Sequence, residues 1–560
     1  MVKLFSLFLI IWSVSAFSGV VFSKFPKHMQ LFARNNQDSG KIEIVGYVNT
    51  PGSDSISVKL FKEGVLQKRI VQPLNYISDN AAFSLAVNIH AELAQYSIKF
   101  YLDSDSLRKA DSLVCGDAYI LDGQSNAAAE AYTGYSSPYI RSFGAQQFDN
   151  TNIDTGWGKA EPAPQINWQR KNVIGVLGMA IARRIVEDSR IPVAVFNGAI
   201  AGTPITYHLR DTALSSIYGR LLHRVVHSGL KDGLRGVIWH QGEAAYSGPN
   251  EYLNHLMQLH DSWIQDFPAI QRVFVYQIRP GCNYDGQDII REAQRKSPFN
   301  RSDIRIMSTT NIPYHDGCHY DTAGYRIMGE QMSRIIQREF CNYSDTVGID
   351  APDIVRAYFR DAYKKQLVLE WTQPVTFTSD SNGHTPSEAF SIGKSWGVVD
   401  SVKTDSAAKQ TVLYLKSSTD STTVSYTPDR FYTGTTNPFE GPWLVNGRGI
   451  GALTFYRFPI TTNGTSVALN RSITSHLTVL ASPNPFNKSI CIHSAGVDRI
   501  NVVEILTPAG QIVKRLNMVR SAVFMWDGNS IAGKKVPAGI YICRVKTEKE
   551  IATLRIVKTE

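Results

Sequence analysis

Polar and apolar side chains alternate through residues 25–110, as in Lys41-Ile42-Glu43-Ile44, Ser55-Ile56-Ser57-Val58-Lys59-Leu60 and Ser97-Ile98-Lys99-Phe100. Period two buries one face of a strand, and Gly, Asn and Asp turns separate the runs, so residues 24–110 predict a small β-sandwich. From 111 to 345 the pattern changes. Short runs at 118–121, 193–196, 237–239, 273–276 and 304–307 are apolar at nearly every position. Between them lie helical faces: Ile174, Leu177, Ile181 and Ile185; Tyr252, Leu256, Leu259 and Trp263; and a helix over 322–340. Strands apolar on both faces and separated by helices predict a mostly parallel sheet covered on both sides, an open, doubly wound α/β domain. Alternation returns over 346–462 (Leu367-Val368-Leu369-Glu370-Trp371; Val412-Leu413-Tyr414-Leu415), with a Ser/Thr/Asp turn cluster at 417–423, and predicts a second β-sandwich module. A polar stretch opens the linker at 463–481, and residues 482–560 read as one more small β-domain. The predicted chain is therefore multidomain, an α/β domain flanked by β-modules.

Composition narrows this further. At 560 residues the chain is long enough for roughly three to four domains. A 43% hydrophobic and 19% charged composition excludes a largely disordered polypeptide. The net charge of +9 is dispersed, with no Lys/Arg block or basic helix, which excludes a nucleic-acid partner. Aromatic residues, at 11%, fit β-rich modules or carbohydrate-facing surfaces, although core packing accounts for most aromatics. Lys3, the apolar stretch 4–14 and the small residues Val14-Ser15-Ala16 have the layout of a secretory signal peptide within residues 1–23, with cleavage after Ala16 or after Ser23. No later apolar run is long enough to span a bilayer, so the mature protein is expected to be secreted or cell-surface without a membrane span. Six cysteines are too sparse for a disulfide scaffold; within the last module Cys491 and Cys543 are the natural pair.

Functional groups in open parallel sheets gather beyond the carboxyl ends of the strands. Four such segments carry unusual residues. Asp122-Gly123-Gln124-Ser125-Asn126 follows the run 118–121 and precedes a helix-prone Ala stretch. There Ser125 presents a hydroxyl at the mouth of the sheet, with its N–H at a helix start that favours negative charge; a plain N-cap is the alternative. Asn197-Gly198-Ala199-Ile200-Ala201-Gly202-Thr203-Pro204 follows 193–196, and its glycines let a backbone N–H approach a substrate oxygen. Trp239-His240-Gln241-Gly242-Glu243 offers the Gln241 amide as donor to a developing oxyanion. His240 there reads as a core residue rather than a base, and Glu243 as orienting a neighbour or contacting an Arg. His315-Asp316-Gly317-Cys318-His319 places an Asp three residues before a His, where it can bond the imidazole and fix its tautomer; metal binding or loop packing are the alternatives.

These four elements in this order resemble the SGNH-hydrolase superfamily. Gly123-Gln124-Ser125-Asn126 and Trp239-His240-Gln241-Gly242-Glu243 look like its carbohydrate-esterase branch, which includes the sialate O-acetylesterase-like domains. That branch carries Gln where the superfamily has Asn. The resemblance covers 111–345 and implies a three-layer, flavodoxin-like α/β fold. It also implies Ser125 as nucleophile, His319 as general base and acid, and Asp316 as its orienter. The oxyanion hole would comprise the N–H groups of Ser125 and Gly202 and the Gln241 side chain, with Asn126 and Glu243 supporting. No metal or organic cofactor is implied. The expected substrate is an acetylated carbohydrate, polysaccharide or sialoglycan.

Ser482-Pro483-Asn484-Pro485-Phe486-Asn487, Val503-Glu504-Ile505-Leu506-Thr507-Pro508-Ala509-Gly510-Gln511, Trp526-Asp527-Gly528 and Val536-Pro537-Ala538-Gly539-Ile540-Tyr541 resemble the type IX secretion sorting domain and, equally, the related FlgD-like Ig fold. That resemblance implies a tail engaging secretion machinery or the cell surface. Gly447-Arg448-Gly449-Ile450-Gly451-Ala452 matches a dinucleotide fingerprint but sits in a β-module with no following helix. The reading of another class is a surface carbohydrate-binding or adhesive protein with a degenerate esterase core. The intact Ser125, Asp316 and His319 argue against it.

Overall fold

The computed structural model describes residues 19–131, 134–145, 155–163, 171–245, 248–282, 286–379, 383–427 and 439–461, and, towards the C-terminus, 478–482, 486–487, 489–495, 500–507, 510–519, 523–546 and 551–559. The chain forms two compact units, Met1–Ser466 and Val467–Glu560. Most of the expected signal peptide lies outside the described residues. Residues 20–23, however, belong to the first module: β1 (Val20–Lys24) pairs antiparallel with a later strand, and Val20 and Phe22 are buried. Cleavage after Ser23 would remove a core strand, whereas cleavage after Ala16 leaves it whole.

The N-terminal module continues with β2 (Leu31–Ala33), β3 (Ser39–Val48), β4 (Ser55–Lys62), β5 (Val65–Pro73), β6 (Ala81–His90) and β7 (Tyr96–Leu102). The alternation seen in sequence becomes strict alternation of burial along β6. The inward side chains of its two sheets, Ile42, Ile44, Val58, Phe83, Val87 and Phe100 among them, make one core.

The expected boundary at 110 is not a break in the chain's structure. A single strand, β8 (Asp105–Gly123), runs through it. Its first half pairs antiparallel with β7, and a bulge near Ser112 (φ 57°) re-aims it into the next domain. No Pro or turn pair interrupts this stretch, so nothing ends the strand.

The α/β domain is built from α1 (Ser125–Ala128), β9 (Ile140–Phe143), β10 (Trp157–Lys159), α2 (Gly175–Arg184), β11 (Val193–Asn197), α3 (Ile217–Ser228), β12 (Leu234–His240), α4 (Pro249–Asp266), β13 (Arg272–Gln277), α5 (Gln287–Asn300), β14 (Ile304–Ser308) and α6 (Thr322–Phe340). Its strands run in the order β10-β9-β11-β8-β12-β13-β14. Neighbours from β9 to β14 are parallel, and β10 adds an antiparallel edge. Because β8 also pairs with β2 and β7, and β7 is followed in the sheet by β4 and β5, the whole is an eleven-stranded mixed sheet rather than the mostly parallel one expected. Side chains of β8 sort alternately to its two faces. Tyr119 and Leu121 meet α2 and α6, while Ala118 and Ile120 meet α3 and α4. Helices on both faces bury both sides of the central strands, which is why their sequences are mostly apolar, while the edge strand β14 keeps a partly exposed Arg305 paired with Glu339.

The second β-module pairs Ile354–Phe359, Gln366–Trp371, Gln410–Leu415 and Val399–Asp405 in one antiparallel sheet. A second sheet holds Ser395–Trp396, Phe390–Ile392, Thr423–Tyr426 and Phe455–Pro459, and Trp371, Phe390, Tyr426 and Trp443 lie in the core. The residues around Gly447-Arg448-Gly449 lead into the strand Phe455–Pro459.

In the C-terminal unit, Thr478–Ser482, Ile490–Ala495 and Val523–Trp526 form one sheet. Ile512–Val519, Ile500–Leu506, Gly539–Lys546 and Ile551–Lys558 form the other. Phe486, Trp526 and Tyr541, all drawn from the motif segments, pack in its core with tilted and edge-to-face ring contacts. Cys543 is a free, buried thiol, and the side chain of Cys491, its expected partner, lies outside the described residues; the bridge among the described residues is Cys282–Cys318.

Candidate active site

Parallel pairing brings the ends of β8, β11, β12, β13 and β14 to one rim. Gly123 closes β8 opposite His240 at the end of β12. At φ 138° it takes a conformation that side chains avoid, and a Cβ there would lie 2.0 Å from the His240 carbonyl oxygen. Glycine at 123 therefore lets the two strand ends close together.

Beyond it, Ser125 is the first residue of α1, with Gln124 rather than Ser125 at the N-cap position. The Ser125 hydroxyl is thus not spent on capping. Its Oγ lies 2.9 Å from Nε2 of His319, 194 positions along the chain. The Nδ1 of His319 in turn faces Oδ2 of Asp316 at 3.6 Å. The other carboxylate oxygen of Asp316 accepts the N–H groups of Cys318 (2.8 Å) and His319 (2.7 Å). Burial raises the Asp316 pKa, but those two backbone donors and the nearby imidazole outweigh it and hold the carboxyl below the ordinary range. Both groups face water: the side chains of His319 and Asp316 are 47% and 66% exposed.

Three further layers fix this pair. The Asn126 amide donates to Glu243 Oε1 (2.7 Å) and to the Cys318 carbonyl (3.1 Å), and its own oxygen accepts from the Tyr325 hydroxyl (2.9 Å). Asn126 thereby ties the Ser125 loop to the His319 loop. Glu243 is buried, with Nε2 of His240 at 3.1 Å. Burial pushes its pKa up, yet His240 and the Asn126 amide hold the carboxyl below its usual value. Of the two kinds of contact considered for Glu243, the structure shows that with a neighbour of Ser125, Asn126. His240 is wholly buried beside Tyr276 and does not reach Ser125's partner.

The third layer surrounds Gly202. It sits in a turn at φ 73° and is exposed, and its N–H has no protein acceptor among the described residues. The same holds for the N–H of Ser125. Behind the turn, Thr203 Oγ1 donates to the Ile200 carbonyl (2.7 Å) and lies 2.8 Å from His208 Nε2. His208 Nδ1 faces Asp122 Oδ1 at 3.0 Å. This buried Asp122–His208–Thr203 chain braces the loop, and the strand-end spacing gave no sign of His208.

Gln241 is placed differently from its expected role. It is fully buried, and its amide nitrogen donates to Gln124 Oε1 and to the Thr203 carbonyl, both at 3.2 Å. Both amide hydrogens have acceptors here, so the side chain links the Gly202 turn to the Ser125 loop. Gln124 completes that link, accepting also from the N–H groups of Gly242 (3.3 Å) and Ala244 (3.0 Å). The Cys282–Cys318 disulfide, also not expected, anchors the histidine loop from the segment after β13. Among the described residues no group of three or more His, Cys, Asp or Glu side chains is arranged to hold a metal ion, and no helix is long and apolar enough to cross a membrane.

Residues 115–338 match the family model described as carbohydrate esterase, sialic acid-specific acetylesterase. That stretch contains Ser125, Asp316 and His319. None of the curated proteins matches the chain. Among solved structures, the chain is similar to a carbohydrate acetylesterase from Xanthomonas citri (TM-score 0.52, 16% identity, 78% of this chain and 99% of that one). It is more distantly similar to a protein from Arabidopsis thaliana (TM-score 0.34, 20% identity, 40% and 99%). A family two carbohydrate esterase from Cellvibrio japonicus follows (TM-score 0.27, 10% identity, 57% and 97%). At these identities the first likeness speaks for a shared fold.

Proposed function

We propose that this chain is an exported serine esterase that removes O-acetyl groups from carbohydrate, with the chemistry confined to the α/β domain. The observation that carries the reading is the 2.9 Å contact between Ser125 Oγ and His319 Nε2 at the rim of the sheet. The family match over 115–338 supports the ester class and the carbohydrate. Ser125 Oγ attacks the acetyl carbonyl as His319 Nε2 takes its proton. The oxyanion that forms is met by the free N–H groups of Ser125 and Gly202. Collapse breaks the bond to the sugar oxygen, which leaves with the proton from His319, and acetyl-Ser125 remains. Water, deprotonated by His319, then releases acetate and restores the hydroxyl. Asp316 holds His319 Nδ1 and stabilises its charged form. In this reading Gln241 keeps the Gly202 turn in register instead of donating to the oxyanion. The exposure of His319 and Asp316 favours an acetyl group presented at an open rim, as on a polymer.

Export rests on the N-terminal residues, and the C-terminal unit serves sorting or attachment, engaging secretion machinery or the cell surface. Its motif residues Phe486, Trp526 and Tyr541 build its core rather than an active site. Acetate release from acetylated xylan and from O-acetyl sialic acid, wild type against Ser125→Ala, tests the activity. The substitution should abolish release from the true substrate, by roughly a factor of a million in kcat. Equal release by both proteins refutes the role of Ser125.

A further inference from the structure

The histidine loop is held by Arg279 of the α/β domain together with Glu440, a side chain from outside it. Arg279, just beyond β13, is 3% exposed. Its Nη1 donates to the carbonyl of Gly317, between Asp316 and His319. Its Nη2 donates to both carboxylate oxygens of Glu440, at 2.8 and 3.1 Å. Glu440 belongs to the second β-module, 161 positions away. The same carboxylate lies 3.3 Å from Nε2 of His315, whose Nδ1 accepts the Gly317 N–H at 3.1 Å. Loop, Arg279, His315 and Glu440 thus form one closed circuit around Gly317.

The module is firmly seated where it reaches this loop. Gln277, the last residue of β13, exchanges two hydrogen bonds with the backbone of Thr454 (2.8 and 2.9 Å). Thr310, beyond β14, donates to the Ala452 carbonyl at 3.0 Å. A Cβ on Gly451 would fall 2.1 Å from Thr310 Oγ1, so the backbones meet without room for a side chain. Burial raises the Glu440 pKa, but His315 and Arg279 hold the carboxyl below its usual value. An anion delivered this way completes the neutralisation of a buried guanidinium that would otherwise pull on the loop.

We infer that the second β-module completes the active site, with Glu440 acting through Arg279 and His315 as a positioning residue for His319. The inference rests on the reading of Ser125 and His319 as the reacting pair. It assigns a role to a module whose sequence shows only a β-sandwich.

The test is steady-state hydrolysis of 4-nitrophenyl acetate by the full chain, comparing wild type with Ser125→Ala, Glu440→Gln, Glu440→Asp and Asp353→Asn. Asp353 pairs with Arg295 of α5 at 3.2 Å, so its variant loosens the same module without touching the histidine loop. Glu440→Gln should lower kcat roughly tenfold to hundredfold with KM within about twofold, the effect of a small displacement of a reacting group. Glu440→Asp, which keeps the charge, should recover part of that loss, and it gives the reading by itself if the Gln variant does not fold. Asp353→Asn should lower the melting temperature and leave kcat unchanged. An active wild type with Glu440→Gln within twofold of it, or an equal kcat loss in Asp353→Asn, overturns the inference while the reading of Ser125 stands. A wild type no more active than Ser125→Ala overturns that reading, and the inference with it.

Discussion

Asp316→Asn isolates one charge. The substituted amide retains an oxygen where Asp316 Oδ1 accepts the N–H groups of Cys318 and His319, so the loop keeps its hydrogen bonds. What is lost is the negative charge 3.6 Å from His319 Nδ1. At that separation the Coulomb energy is about 1 kcal/mol in a water-like medium and about 5 kcal/mol at an effective dielectric of 20. The Asp316 side chain is 66% exposed, which places the pair near the lower figure. A loss of about 1–2 kcal/mol corresponds to a fall in kcat/KM of about fivefold to thirtyfold. A buried triad aspartate, by contrast, is worth about four orders of magnitude. The assay is kcat/KM for an activated acetate ester at a pH above the carboxylate range, with the melting temperature measured alongside. A fall of a thousandfold or more would refute the solvent-screened geometry. No change beyond twofold would refute any orienting role for Asp316.

Two other perturbations have worked outcomes. The Cys282–Cys318 bridge closes a 36-residue loop, which is worth about 4 kcal/mol of unfolding free energy in the chain-entropy picture. Cys282→Ser should therefore lower thermal stability clearly in calorimetry and reduce kcat through the freed histidine loop; an unchanged melting profile would contradict this. Glu243 is held below its usual value by His240 and Asn126, so its contribution to stability is present above the ordinary carboxylate range and is lost as pH falls through its folded value. The wild-type melting temperature should drop more steeply than that of Glu243→Gln as the pH is lowered from about 5 to 3, and parallel curves would contradict the linkage.

The five expected strands of the α/β sheet are all present because burial on both faces writes a nearly continuous apolar run into the sequence, broken only by Arg305 in the edge strand β14. The expected helix over 322–340 is α6 for a related reason, its core face meeting α2. Strands β9 and β10 left no such mark. In β9, Arg141 and Ser142 are fully buried polar residues, and Ser142 is satisfied by the Val195 carbonyl at 2.7 Å. Residue type beyond the strand ends was enough to mark Ser125, Asp316 and His319 as candidates, and the structure brings the three side chains together. Residue type could not say that Gln241's hydrogens are already spent, because that depends on where Gln124 and Thr203 lie. The same limit hid the disulfide. Cys282 and Cys318 meet only because β13 and β14 are adjacent and parallel, so the segments beyond them leave the sheet side by side. Glu440 is a still longer-range case, for its partners are fixed by how one module seats on another.

The central claim is that Ser125 is the attacking group and His319 its base. A fluorophosphonate probe followed by peptide mass spectrometry tests it most directly. The account predicts one adduct, on Ser125, formed in step with loss of esterase activity and absent in His319→Ala. Full activity with Ser125 labelled, or an adduct on another serine that tracks the loss of activity, would contradict it.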